Sequence, residues 1–210
     1  MSVRLKPFEV ERHSSARGTP VALRLVQSHD AELLIRAFEQ LSPESRYRRF
    51  FGHKNALSPD EVRQFTDCDG TNHFAIGAVI EGADGSEEGV GVARFIRLPH
   101  DPRTAEAAVT VVDAFQRRGI GSLLARRLLS AAAERGVDRL EFSVLSENQP
   151  MIVLLRKLAL GANVRAETSL GGTAVKVVVP TGPVRQRPFL HRLLAHASRL
   201  CLISARVAEP

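Results

Sequence analysis

Tryptophan is absent from this chain, tyrosine occurs once, and aromatic residues make up only 5%. Stacking platforms of the kind that grip single-stranded nucleic acid are therefore sparse. Cysteine occurs at two distant positions, Cys68 and Cys201, with no CxxC pair. That argues against a disulfide framework and against a zinc cluster, leaving two reduced thiols and no expected metal. No apolar run approaches the roughly 20 residues needed to cross a bilayer. The segment from Met1 to His13 is broken by Arg4, Lys6, Glu9, Glu11 and Arg12, so it lacks the continuous apolar stretch of a secretory signal. The expectation is a cytoplasmic protein without a membrane span.

What the chain does have is the balance of a globular protein, 44% hydrophobic and 25% charged over 210 residues. That length suits one domain with an added arm. A net charge of +6 and a pI near 10.1 call for an anionic partner, but charge alone does not choose among nucleic acid, membrane and small molecules. With aromatics so few, the balance tilts toward a phosphate-bearing ligand.

The basic tail, residues 1–18, offers no clear pattern. Val21 to Val26 is rich in β-formers and reads as a first strand. From Asp30, Leu33, Leu34, Ala37 and Leu41 recur at helical spacing. Ser42-Pro43 and Ser58-Pro59-Asp60-Glu61 then carry start signals for two more helices, the second with a capping-box Glu. His73 to Ile80, Gly89 to Ile96 and Glu106 to Val112 read as successive antiparallel strands. Ile120, Leu123, Leu124, Leu128, Ala131 and Ala132 form the strongest helical stripe, closed by Gly136 as C-cap. A strand at Leu140 to Leu145, a helix at Gln149 to Leu158, and strands at Val164 to Thr168 and Ala174 to Val179 complete the domain, residues 19–182. Beyond it, residues 183–210 form an arm with an amphipathic helix from Phe189 to about Val207. Packing on its own domain or on a second subunit is its expected use, which leaves a homodimer open.

The chemistry is concentrated where a strand meets that strongest helix, in Thr110-Val111-Val112-Asp113-Ala114-Phe115-Gln116-Arg117-Arg118-Gly119-Ile120-Gly121-Ser122. Two glycines one residue apart let a backbone approach a bulky anion and aim N–H groups at it, while the helix behind adds its positive end. Position 124 is Leu rather than Gly and no Walker lysine follows, so neither the Rossmann nor the P-loop pattern applies.

Val112 to Leu124 resembles the Q/R-x-x-G-x-G/A signature of the GNAT acetyltransferases. Leu41 to Phe51 and Leu57-Ser58-Pro59 are similar to the acetyltransferase domains of bacterial protein lysine acetyltransferases. The resemblance covers roughly Val21 to Thr181. It implies an α/β (α+β) fold with a mixed, mostly antiparallel sheet of about six to seven strands flanked by helices. It further implies acetyl-CoA as cosubstrate, with Thr110, Val111 and Val112 pairing with the pantetheine arm, and Gln116, Arg117, Arg118, Gly119, Ile120, Gly121 and Ser122 around the pyrophosphate. Asn148 falls where the family has a cofactor-touching Asn, a position that a plain helix cap would equally explain. The family's usual Tyr, seven residues on, is here Leu155.

The reaction implied is acetyl transfer to a primary amine, a protein lysine or a small molecule. A lysine-type amine has a pKa of about 10.4, so presenting it neutral at pH 7 costs roughly 4 to 5 kcal/mol and calls for a base. Glu106 is the expected base, opening the strand that leads to the cofactor site, where the related enzymes carry their Glu in Ala-Glu-x-Ala-Val. Glu141 is the reserve candidate, and His73 and His100 are weaker ones. The oxyanion donor is expected from a free backbone N–H near Val112. Neither cysteine lies in the motif, which favours direct transfer. Arg126 or Arg127 could join Arg117 and Arg118 at the phosphates. Arg46, Arg48 and Arg49 read first as a solvated helix face and second as a contact for an acidic substrate. Two rival readings are a non-catalytic acetyl-CoA-binding regulatory module and a basic nucleic-acid-binding protein. The acceptor contacts are expected from Ala31 to Asp69 and from the loop Pro99 to Arg103.

Overall fold

Runs of Val, Ile, Ala and Phe with alternating burial make this chain a sheet first, with helices laid on both faces. The computed structural model describes residues 10–16, 18–82, 84–159, 167–168 and 174–181. Its strands are β1 Val10–Ser14, β2 Pro20–Leu25, β3 His73–Glu81, β4 Glu87–Leu98, β5 Asp101–Val111, β6 Arg139–Leu145, β7 Glu167–Thr168 and β8 Ala174–Pro180. Its helices are α1 Ala31–Glu39, α2 Pro43–Phe50, α3 Pro59–Thr66, α4 Ile120–Glu134 and α5 Gln149–Leu158. The strands form one sheet in the order β1-β2-β3-β4-β5-β6-β8-β7. All neighbours run antiparallel except β5 and β6.

The helix starts follow the sequence signals. Ser42 accepts the N–H of Ser45 at 3.1 Å ahead of Pro43. Ser58 and Glu61 make the reciprocal capping box, each side chain bonding the other's backbone. Gly136, at φ 73°, closes α4 in the left-handed conformation that glycine adopts without penalty.

Helices α1 and α3 lie on one face of the sheet. Helices α4 and α5 lie on the other, over Phe74, Phe95, Leu140, Phe142, Val177 and Val179. Phe74 and Phe95 stack at 5.4 Å between centroids, and Leu124, Leu128 and Leu155 are fully buried against this layer. Each such side chain contributes about 1.5–3 kcal/mol over its exposed state.

The sheet is larger than the six to seven strands expected, because the segment read as an unpatterned tail supplies β1. That strand alternates Glu11 and His13 inward with exposed residues, so it carries no apolar periodicity. It is held by pairing with β2 and by an ion pair from Glu11 to Arg127 at 2.9 Å. Strand β5 begins at Asp101 rather than Glu106, which turns most of the expected Pro99 to Arg103 loop into sheet. The helix expected at Phe189 to Val207, the arm 183–210 and Cys201 lie outside the described residues.

Candidate active site

The parallel pair β5 and β6 is joined only from Thr104↔Arg139 to Glu106↔Glu141; beyond that register the two strands separate. A cleft of about 640 Å³ opens in the fork, walled by β5 from Glu106 to Val111, by Phe142, Ser143 and Val144 of β6, by α2 and α3, and by the starts of α4 and α5. Its size suits a small-molecule ligand.

Hydrogen-bond alternation decides which backbone groups face this cleft. Val112 donates its N–H to the Val90 carbonyl at 3.0 Å. In an antiparallel ladder that sets the phase, so Thr110 and Ala108 also bond toward β4, while Val111, Val109 and Ala107 turn N–H and C=O toward β6. Past Glu106, β6 has moved away. The open edge is therefore Ala107, Val109 and Val111. Of the expected Thr110, Val111 and Val112, Val111 presents its backbone to the fork, Thr110 lines the cleft, and Val112 is buried and bonded to β4. The Val112 N–H itself is bonded to β4, so the free N–H expected near Val112 falls to its neighbour Val111.

The turn ahead of α4 is shaped for an anion. Arg117 sits at φ 57° and Gly119 at φ 85°. Gly119 is the N-cap of α4 with no side chain bonding the first turn, so among the described residues the N–H groups of Ile120, Gly121 and Ser122 have no acceptor. Gly119 has a second reason to be glycine, since a Cβ there would meet the Ala16 Cβ at 3.0 Å. Ala16 in turn donates its N–H to the Arg118 carbonyl at 2.8 Å. Gly121 has ordinary space around it and lines the cleft with Gln116 and Arg117. The Arg118 guanidinium lies over the Phe115 ring at 5.2 Å. Arg127, offered as a phosphate contact, is instead nearly buried between Glu11 and Glu134.

Behind the turn, Asp113 accepts the Ser42 N–H and the Ser42 and Ser45 hydroxyls at 2.8–2.9 Å. Gln116 Nε2 reaches Ser45 Oγ at 3.2 Å and the Val111 carbonyl at 3.0 Å. Burial works against the Asp113 charge, but these donors outweigh it and hold the carboxyl below its usual range. Helix α2 is thereby tied to the anion turn.

Glu106 and Glu141 stand side by side in register, yet their surroundings differ. Glu106 is exposed in the cleft, and among the described residues its carboxylate has no hydrogen bond or ion pair. Glu141 pairs with Lys176 at 3.0 Å and is not part of the cleft wall. His73 is tucked beside Arg94 at 3.4 Å, where burial and that neighbouring charge lower its pKa, and neither it nor His100 lines the cleft. Asn148 caps α5, accepting the Met151 N–H at 3.3 Å, and also lines the cleft. Leu155 is fully buried in the core, and α5 lines the cleft with Pro150, Met151 and Leu154 instead.

Among the cleft residues not singled out as site residues, three carry polar side chains of interest. Arg49, read first as part of a solvated face, lines the wall, as do Arg94 and Ser143. Only Arg49 left a trace in the sequence reading, through the acidic-substrate alternative. The expected acceptor segments divide: α2 and α3 do line the cleft, and the turn at Pro99 to Arg103 does not.

The family model described as "Acetyltransferase (GNAT) domain" matches residues 21–160. The chain belongs to the GNAT acetyltransferase family. It is 34% identical over 174 residues to "Acetyltransferase Pat" of Mycolicibacterium smegmatis, covering 82% of this chain and 49% of that protein. The chain thus spans about half the length of this relative. The solved GNAT domain of S. lividans PAT superposes with a TM-score of 0.71 at 29% identity, over 81% of this chain and 96% of that one. A putative acetyltransferase from Salmonella typhimurium, solved with its cofactor acetyl-CoA, has a TM-score of 0.61 at 16% identity, over 80% of this chain and 98% of that one. At that identity the likeness is one of fold.

Proposed function

We propose that this acetyltransferase uses acetyl-CoA and transfers the acetyl group directly to a primary amine, on a protein lysine or a small molecule, with Glu106 as general base. The observation that carries the reading is the unpartnered Glu106 carboxylate at the fork between β5 and β6, inside the cleft.

The residues present fit coenzyme A. Ala107, Val109 and the N–H of Val111 offer an open β-edge for a pantetheine amide chain, and the uncapped start of α4 offers N–H groups and a helix dipole for the pyrophosphate. Arg117 and Arg118 supply cationic partners beside that turn. The Salmonella protein named above supports the same choice of cofactor. Bound there, acetyl-CoA would supply an acetyl thioester whose thiolate, from a thiol of pKa about 8.5, departs with little acid help.

The chain's own work is to bind, orient and move one proton. Glu106 takes a proton from the acceptor ammonium, and the neutral nitrogen forms the new N–C bond as the C–S bond breaks, its second proton passing to the leaving thiolate. The backbone edge of β5 holds the carbonyl and provides N–H donors for its oxygen. Cys68 is not positioned as a nucleophile: it lies outside the cleft wall, and burial pushes its thiol up to about 11.

Thiol release from acetyl-CoA, measured across a panel of amines and lysine proteins, tests the reading. Glu106→Gln is expected to lower turnover by about a hundredfold to ten-thousandfold while acetyl-CoA binding persists. Full activity in that variant would remove Glu106 as base. Leu154 and Leu155 bring no proton donor from α5, and this supports a second reading, a module that binds acetyl-CoA and regulates a partner. Calorimetric binding of acetyl-CoA without turnover on any acceptor would favour it.

A further inference from the structure

Two guanidiniums in the acceptor half of the cleft have no carboxylate of their own. Arg94 is 5% exposed. It stands on β4 opposite Ala108, on the same sheet face as Glu106 and one diagonal step from it. Among the described residues only its Nη1 finds polar partners, the Phe65 carbonyl at 3.1 Å and His73 Nε2 at 3.4 Å, with the Phe65 ring against the guanidinium at 4.5 Å. Arg49 reaches the same wall from α2 and forms no hydrogen bond or ion pair among the described residues. Burial lowers both pKa values, the Arg49 charge further disfavours that of Arg94, and among the described residues Glu106 is the carboxylate whose charge favours the Arg49 guanidinium.

The other charges of the wall are balanced. Arg48 pairs with Glu44 at 2.5 Å and Glu61 with Lys54 at 2.6 Å. Arg117 belongs to the anion turn. One unpaired carboxylate therefore faces two unpaired guanidiniums. Burying an arginine without a counter-ion is costly, and an anionic ligand bound beside it would offset that cost. The guanidinium fork matches a planar carboxylate.

We propose that Arg49 and Arg94 form a carboxylate-binding subsite beside Glu106, so that the preferred acceptor is an amine carrying a carboxylate within reach of it. The inference rests on the acetyl-transfer reading above and names its substrate class. Arg49 and Arg94 hold the carboxylate, and Glu106 receives the proton from the amine. The carboxylate can come from a free amino acid or from an acidic residue flanking a protein lysine; both present the same chemistry.

Matched acceptor pairs test it: glycine and γ-aminobutyrate against their amides, and a lysine peptide flanked by Glu against the same peptide flanked by Gln. Wild-type kcat/KM is expected to favour the carboxylate member by at least about tenfold in one set, and the set that responds identifies the source. Arg49→Gln is expected to collapse that ratio through KM for the acceptor, and Arg94→Lys to retain part of it. Equal rates on both members, or variants that slow both members equally, overturn the subsite.

A binding arm separates this inference from the reading it rests on. With coenzyme A saturating, so that the phosphate turn is filled, glutarate is titrated calorimetrically into wild type and into Arg49→Gln. Glutarate binding weakened about tenfold in the variant upholds the subsite even where no amine is acetylated, a result that would sink only the transfer reading. No glutarate binding to wild type overturns the subsite.

Discussion

Asp113 accepts the Ser42 N–H and the Ser42 Oγ–H, both at 2.9 Å, bridging the residue that caps α2 to the residue that leads into the anion turn. Helix α2 brings Arg49 to the cleft, so this one carboxylate relates the α2 wall of the cleft to the turn ahead of α4.

Asp113→Asn is expected to raise KM for acetyl-CoA and for the acceptor together, with a Tm loss of several degrees from the weakened cap. The pH dependence has a definite sign. The folded pKa of Asp113 is lowered, so its stabilisation is present above the unfolded value near 3.8 and is lost as pH falls through the folded value. Acid unfolding of wild type and variant should therefore converge below about pH 4. A constant stability gap from pH 7 to pH 3 would show that the bridge does not depend on the charge.

Gly119→Ala forces a side chain into a left-handed residue and against the Ala16 Cβ. The expected cost is about 1–2 kcal/mol or more in unfolding free energy, with weaker acetyl-CoA binding, because the turn itself must shift. Gly121→Ala, with ordinary space around it, should be tolerated far better in denaturant unfolding. Equal losses at both positions would contradict the geometry.

Leu155→Tyr restores the residue that the family usually has, but at a site buried in this core. It is expected to destabilise by about 1–3 kcal/mol through overpacking and to leave the rate of thiol release no higher. Leu154→Tyr places its hydroxyl in the cleft instead. A faster rate in the Leu155 variant would mean that this side chain can reach the acetyl group.

Cys68 should resist alkylation in the folded protein. A thiol near 11 is ionised roughly a hundredfold less at pH 8 than an unperturbed one. Peptide mapping after iodoacetamide treatment measures the rate at this residue, and Cys68→Ser should retain acetyl transfer. Rapid native labelling would contradict the burial.

What could be read from the sequence was local. The α4 stripe, the Ser42 and Ser58 caps and the Gly119 turn each depend on residues within a few positions of one another. Glu106 could be read onto the strand that leads to the turn because strand and turn are consecutive, and the structure puts its side chain in the cleft. The open-edge residues Ala107 and Val109 were missed because hydrogen-bond phase depends on which residue of β4 faces Val112. Strand β1 was missed because its inward side chains are Glu11 and His13, held by pairing with β2 and by Arg127. Arg94 and Arg49 belong to different elements, and only the fold puts them on one wall.

The bond from Ala16 to the Arg118 carbonyl makes the β1–β2 turn a brace for the loop that would grip the cofactor phosphates. Strand β1 is the last strand on its side of the described sheet, paired only with β2. How long a phosphate-bearing ligand stays is thus set partly at the rim of the sheet: tension that peels β1 from β2 would unlatch the brace and shorten that residence without touching a cleft residue.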